Sequence, residues 1–388
     1  MEQQYDFEEI RCYEDSDVQA VLPALVDDPA VQAVLKKVMP SEDPEALFAR
    51  LKQIKTIRDF QLGVVAPFVM TLVQKSCDAF ELRGKEKIVR DQGALYITNH
   101  RDIVLDSAFL DVMLHYQAQA DTVEIAIGDN LLIYPWIRDL VRLNKSFIVK
   151  RDVPVRQMLE VSRRLSSYIH HTIVDKKQSV WIAQREGRSK DSSDQTQASV
   201  IKMLALGGAT RSIVDNVRQL NLQPVALSYE YDPCDYLKAI EFQMKRDVEG
   251  WKKSQSDDLA SMATGIFGYK GRVVFTITDP LNAVLDRYPA DMDKNAQANA
   301  ICEDVDRALH AHMNLFEINY VAYDLRFQTD KYADRYTEEQ KNKAITYLNS
   351  RLALIDIPSK DEDFLWEKLL TMYSNPVVNY ETVCSQGK

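Results

Sequence analysis

Between residues 94 and 278 the chain alternates short apolar, β-rich runs with longer stretches of helical spacing, and this alternation restricts it more than any other feature. The β-rich runs are ALYIT (94–98), VEIAI (123–127), SFIVK (146–150), SVWIA (179–183), PVALSYEY (224–231) and RVVFTIT (272–278). Helical patterns at 107–116, 131–143 and 156–174 separate most of them. Strands that alternate with helices predict an α/β domain with a mixed, largely parallel sheet. Several runs are apolar throughout, as expected when helices cover both faces of the sheet.

Both flanks read as helical. Near the N-terminus Ser41 and Asp43 precede Pro44, and Leu47, Phe48, Leu51 and Ile54 recur at helical spacing. After Pro280 come QANAICEDVDRALHAHM and TEEQKNKAITYLNSRLALI. The expected organisation is a helical region over 1–79, a catalytic domain over 80–285 and a helical extension over 286–388. KDSSDQTQ (190–197) reads as a flexible loop. The longest apolar stretch, Phe60 to Val73, contains Gly63 and Pro67 and falls short of the roughly 20 residues a spanning helix needs. It is either a buried helix or one lying at a membrane interface.

Composition excludes several classes. Hydrophobic residues make up 46% and charged ones 27%, which allows a sizeable core and argues against long disorder. A net charge of −10 argues against nucleic acid as a partner. Cys12, Cys77, Cys234, Cys302 and Cys384 are scattered, without a CxxC pair, which points to a reducing compartment rather than a disulfide framework or structural zinc. The acidic N-terminus lacks the basic and apolar regions of a signal peptide. There is no GxSxG elbow, Walker loop or GxGxxG stretch, so serine hydrolase, NTPase and dinucleotide readings lose their main support. The His310–His312 pair lacks a carboxylate at metal-ligand spacing.

The chemistry concentrates where strands end. In ALYITNHRDIVLDSAFL, His100 follows a strand and Asp106 stands near the start of the next helix. A carboxylate that holds one imidazole N–H leaves the other nitrogen free to take a proton; equally, Asp106 could simply cap a helix. Lys150 and Arg151 follow the run SFIV, and Arg185, Glu186, Gly187, Arg188, Ser189 and Lys190 follow SVWIAQ. Two basic clusters at strand ends of an acidic protein point to an anion site, because ligands bind at the carboxyl edge of such sheets. A solvated basic rim is the plainer alternative.

Taken in order, NHRDIVLDSAFL, SFIVKR, REGRSKD and QPVALSYEY resemble the four blocks of the glycerophospholipid acyltransferase superfamily. FELRGKEKIVRDQGALYITNH is similar to that family's lead-in strands, and GRVVFTITDPL to its closing strand. The resemblance covers roughly residues 80 to 285. It implies an O-acyltransferase of phospholipid biosynthesis, with a glycerolphosphate acyltransferase-like fold. His100 would deprotonate the acceptor hydroxyl and Asp106 would orient it. Lys150, Arg151, Glu186, Gly187, Arg188, Ser189 and Lys190 would form the substrate site, with Arg151, Arg188 and Lys190 on the acceptor's phosphate. Pro224 and Val225 would lie beside the acyl donor. The implied partners are acyl-CoA or acyl-carrier protein, a phosphate-bearing lipid precursor (lysophosphatidate or glycerol 3-phosphate) and a membrane surface. The implied location is the inner face of the cytoplasmic membrane, and no cofactor or metal is implied.

Two departures bear on this. The spacing is His-x5-Asp, with Leu105 at the standard carboxylate position, so Asp102 rivals Asp106 as partner. The third block reads EGRSK, nearer the GGRSR form of the glycerol-3-phosphate branch, and Tyr229-Glu230 leans the same way. A different lipid acceptor (an amino-acid lipid or a lysophospholipid) and a non-catalytic lipid-binding relative stay open.

Overall fold

The computed structural model describes residues 5–38, 42–289 and 291–386. Seven strands form one sheet: β1 (Cys77–Arg83), β2 (Leu95–Thr98), β3 (Glu124–Gly128), β4 (Ser146–Val149), β5 (Val180–Ala183), β6 (Leu222–Tyr229) and β7 (Gly271–Ile277). Their spatial order is β1-β7-β6-β2-β5-β3-β4. Five neighbours, β6-β2-β5-β3-β4, run parallel, while β7 is antiparallel to β6 and parallel to β1. The expected mixed, largely parallel α/β sheet is therefore present. Its five parallel strands bring their carboxyl ends to one edge.

Alternation along the strands feeds two cores. Leu95 and Ile97 of β2 join the apolar cluster that includes Ile169, Ile201 and Ile301, while Tyr96 faces a second cluster with Phe109, Met113 and Phe275. Helix Leu105–Ala118 seals the second face, and Val155–His170 and Lys294–His312 cover the first. Sheet strands buried on both sides explain the apolar runs. At the outer edge the N-terminal arm shields β4, where the Ile148 N–H donates to the Ile10 carbonyl at 2.9 Å.

The flanks are helical, as expected. Asp43 caps helix Pro44–Lys52 by accepting the Ala46 N–H at 2.8 Å; Ser41 lies outside the described residues. Helix Ala66–Ser76 runs straight into β1, which the sequence patterning did not show as a separate run. The Phe60–Val73 stretch is a core helix: Phe60, Val64, Val69, Leu72 and Val73 are all buried. Pro67 lacks an N–H, and a widened turn over Gln61–Val65 precedes it. The interfacial alternative for this stretch does not hold. Among the described residues no single helix is long and apolar enough to cross a membrane.

The KDSSDQTQ loop is tethered rather than flexible. Asp194 is fully buried and pairs through both carboxylate oxygens with the Arg101 guanidinium. The Thr196 N–H donates to Asp306 at 2.8 Å, and Asn375 and Asn379 of helix Glu362–Gln386 donate to the carbonyls of Asp191, Ser192 and Ser193. Polar composition signalled a loop, but its partners lie more than 90 residues away in sequence and left no local trace.

One buried carboxyl makes a stability prediction. Burial pushes Asp111 up to about 7 from its usual 3.8, against the lowering effects of the Val123 N–H and Lys145. The folded state thus holds a proton that the unfolded chain has released between pH 3.8 and about 7, so Asp111's contribution falls as pH rises through that window. Asp111→Asn keeps the acceptor for Val123 and removes the charge. It should stabilise the protein at pH 8 by on the order of 3 kcal/mol and have little effect at pH 4, as read from urea midpoints. An equal gain at both values would contradict this.

Candidate active site

β2 ends at Thr98, and Asn99 extends its pairing with β6 by side chain alone. The Asn99 amide donates to the Leu227 carbonyl at 2.9 Å, and its oxygen accepts the Leu227 N–H at 2.8 Å. The chain then turns at His100, and Asp102 caps the following helix. Asp102 Oδ1 accepts the N–H groups of Val104 (2.9 Å) and Leu105 (2.8 Å). That cap fixes the short loop and carries the additional residue of the His-x5-Asp spacing.

His100 Nδ1 lies 2.8 Å from Asp106 Oδ2. The same oxygen accepts the backbone N–H of Arg101 (2.7 Å) and Asp102 (3.1 Å), while Oδ1 accepts the Tyr229 hydroxyl at 2.9 Å. Asp106, not Asp102, is the carboxylate on the imidazole. A carboxylate in this position only accepts, so Nδ1 carries the proton. Among the described residues nothing hydrogen-bonds Nε2. The side chain of His100 is 14% exposed against 1% for Asp106, so the ring is reached from outside and its partner is not. Burial, with the charges of Asp106 and Asp102, drives Tyr229 well above its ordinary value, which keeps its hydroxyl protonated as a donor. Trp181 of β5 packs edge-on against the imidazole, with ring centroids 5.9 Å apart.

The third block lies against this loop. The Ser189 N–H donates to the His100 carbonyl at 3.1 Å, and Gly187 takes a left-handed turn at φ 68°. Arg151 and Glu186 form an ion pair at 2.8 Å, which ties the second block to the third. Lys150 is drawn away to Glu9, which also holds Arg164 at 2.7 Å. Lys190 meets Glu241 at 2.6 Å; burial lowers its ammonium to about 8 although Glu241 acts to raise it. Arg188 is buried. Burial acts to lower its pKa, but Cys234, Asp102 and Asp232 together raise it. Its Nη1 is buried without a hydrogen-bond partner among the described residues, as is Arg151 Nε. Pro224 and Val225 sit within β6, with Val225 paired to Thr98.

Three contributors escaped the sequence reading: Asn99 as a clamp on β6, Tyr229 as a donor to Asp106, and Asp194 as the partner of Arg101. Only Tyr229 had been singled out, for another reason. Elsewhere His310 bonds the Asp194 carbonyl at 3.0 Å and His312 the Ala308 carbonyl at 2.8 Å. Among the described residues no group of three or more His, Cys, Asp or Glu side chains gathers as metal ligands.

An outward-facing imidazole held by a buried carboxylate, at the carboxyl edge of a parallel sheet, is equipped to take a proton from a bound hydroxyl. Residues 79–226 match the acyltransferase family model; this stretch is an acyltransferase domain and the protein an acyltransferase. Among the solved structures that align with the chain are two of low sequence identity. One is the 1-acyl-sn-glycerophosphate acyltransferase PlsC from Thermotoga maritima, at 11% identity and TM-score 0.38, covering 75% of this chain and 96% of that one. The other is the signal recognition particle 54 kDa protein from Aeropyrum pernix, at 13% identity and TM-score 0.21, covering 96% and 93%. At such TM-scores neither likeness bears on the chemistry. No curated protein matches the chain.

The loop's geometry leaves little room behind it. A methyl group at Gly265, in helix Gln255–Phe267, would sit 1.9 Å from Asp102 Oδ2. Gly265→Ala should therefore displace that helix or the Asp102 cap and cost roughly 1–3 kcal/mol in urea unfolding. Unchanged stability would show that the helix is not seated there.

Proposed function

We propose that the enzyme moves a fatty acyl chain from acyl-CoA or acyl-carrier protein to the hydroxyl of a glycerol-phosphate-type lipid acceptor, at the inner face of the cytoplasmic membrane. The observation that carries the reading is the His100–Asp106 pair, with Nδ1 engaged and Nε2 unoccupied, inside an acyltransferase domain. His100 Nε2 takes the proton of the acceptor hydroxyl as its oxygen attacks the thioester carbonyl. The tetrahedral intermediate then expels the thiolate, which recovers the proton from the imidazolium, and an ester replaces the thioester. Asp106 fixes the tautomer and offsets the imidazolium's charge.

A phosphate on the acceptor is supported by the unpartnered Nη1 of Arg188 in the third block and Nε of Arg151 in the second, which its ion pair with Glu186 ties to the third. A second reading, a lipid acceptor without phosphate, is favoured by a different observation. Four basic side chains of the two blocks already have a carboxylate of the protein near them: Lys150 has Glu9, Arg151 has Glu186, Lys190 has Glu241, and Arg188 has Asp102 and Asp232.

His100→Ala should lower turnover by on the order of 10² to 10⁴ in a protein that still unfolds cooperatively. Near-normal transfer by a folded His100→Ala would exclude the mechanism. Arg151→Gln, assayed with glycerol 3-phosphate, lysophosphatidate and a phosphate-free acceptor, separates the two acceptor classes. A loss of about tenfold or more confined to the phosphate-bearing acceptors is expected. Equal loss on all three would favour the second reading.

A further inference from the structure

At the start of helix Val155–His170 every residue from Val155 to Glu160 is exposed. Three of these are large and apolar: Val155 is 85% exposed, Met158 52% and Leu159 53%. At 100° per residue they share one side of the helix, with Arg156 and Arg163 beside them. Such exposure costs stability unless another apolar phase covers it, so the turn has the form of a contact surface.

Its position in the sheet says what it faces. The helix follows β4, and His100 follows β2; both strands are parallel, so both features lie on the same carboxyl edge. Three strand spacings, about 14 Å, separate them along that edge. On the other flank of His100, Phe267 (60% exposed) and Tyr269 (46%) stand just before β7, whose first residues lie beside the carboxyl end of β6. Exposed apolar side chains thus bracket the histidine on its own edge. The local charge is also distinctive. Of the five basic residues in 150–164, Lys150 and Arg164 pair with Glu9 and Arg151 with Glu186, so Arg156 and Arg163, both exposed on the helix, are the cations that flank the apolar turn.

We propose that Val155, Met158 and Leu159, with Arg156 and Arg163 beside them, form a wedge that inserts into an anionic lipid surface and sets the His100 edge of the sheet against it. Arginines at the rim remain at headgroup depth, where anionic lipids attract them. The proposal rests on the lipid acceptor proposed above, and it replaces Phe60–Val73, whose apolar positions are in the core, as the membrane-facing element. A lipid acceptor would then reach His100 without leaving the interface.

Vesicle co-sedimentation tests this, with phosphatidylcholine alone and with phosphatidylcholine containing phosphatidylglycerol. The full chain is compared with Val155→Ser/Met158→Ser/Leu159→Ser and with Leu354→Ser, an exposed apolar position elsewhere; melting curves confirm that each is folded. The unaltered chain and Leu354→Ser should bind the anionic vesicles, and the triple variant should bind at least about tenfold more weakly. No binding by the unaltered chain, or equal binding by the triple variant, would overturn the proposal. So would a triple variant that keeps vesicle binding and loses affinity for acyl-carrier protein, which would make the wedge a protein-docking site. His100→Ala should bind vesicles normally. If no acceptor is acylated but the triple variant still loses binding, the reaction reading falls and the docking surface stands.

Discussion

The site depends on one buried carboxylate. Asp106 collects four donors: the imidazole of His100, the backbone N–H groups of Arg101 and Asp102, and the hydroxyl of Tyr229. Each such bond to a charged acceptor contributes roughly 1.5–3 kcal/mol, and together they offset the cost of keeping the charge out of water. They also join three separate elements. The loop after β2, the first turn of helix Leu105–Ala118 and the end of β6 all close on the same two oxygens. Because Oδ2 is shared between the ring and two backbone N–H groups, the imidazole cannot swing without disturbing the loop that carries it.

Around this point the protein neutralises its own charges. Asp102 lies close to Asp106, and burial together with that like charge raises its pKa, against the Leu105 and Val104 N–H groups and Arg188. Arg188, which the sequence order placed in a substrate clamp, therefore also faces the rear of the histidine loop. Arg101 crosses to Asp194, and the C-terminal helix secures the same segment through Asn375 and Asn379. The C-terminal extension thus reaches the site indirectly, by fixing the loop that follows the third block.

Much of the architecture was legible because six of the seven strands stood out as short β-rich runs, several of them apolar throughout as strands covered on both faces must be. β1 did not, since Cys77–Arg83 alternates with polar residues and lies at the sheet's edge. The pairing of His100 with Asp106 was one of two options at the level of spacing. Asp102 lost because its carboxylate turns to the helix N-terminus, where two unbonded N–H groups need an acceptor. The reading of residues 190–197 as flexible failed for a related reason: a polar loop is held by whatever faces it, and Arg101, Asp306, Asn375 and Asn379 come from distant parts of the chain. Likewise, composition alone could not tell an interfacial Phe60–Val73 from a buried one.

The central claim is that Asp106 holds His100 in the tautomer protonated at Nδ1, with Nε2 bare and facing the acceptor. Nitrogen-15 NMR of the histidine side chains, with His100 assigned by its loss in His100→Ala, reads this directly. At a pH where the ring is neutral, the account predicts a protonated Nδ1 and an unprotonated Nε2 for His100, and loss of that preference in Asp106→Asn. A His100 ring protonated at Nε2 in the unaltered protein would contradict it.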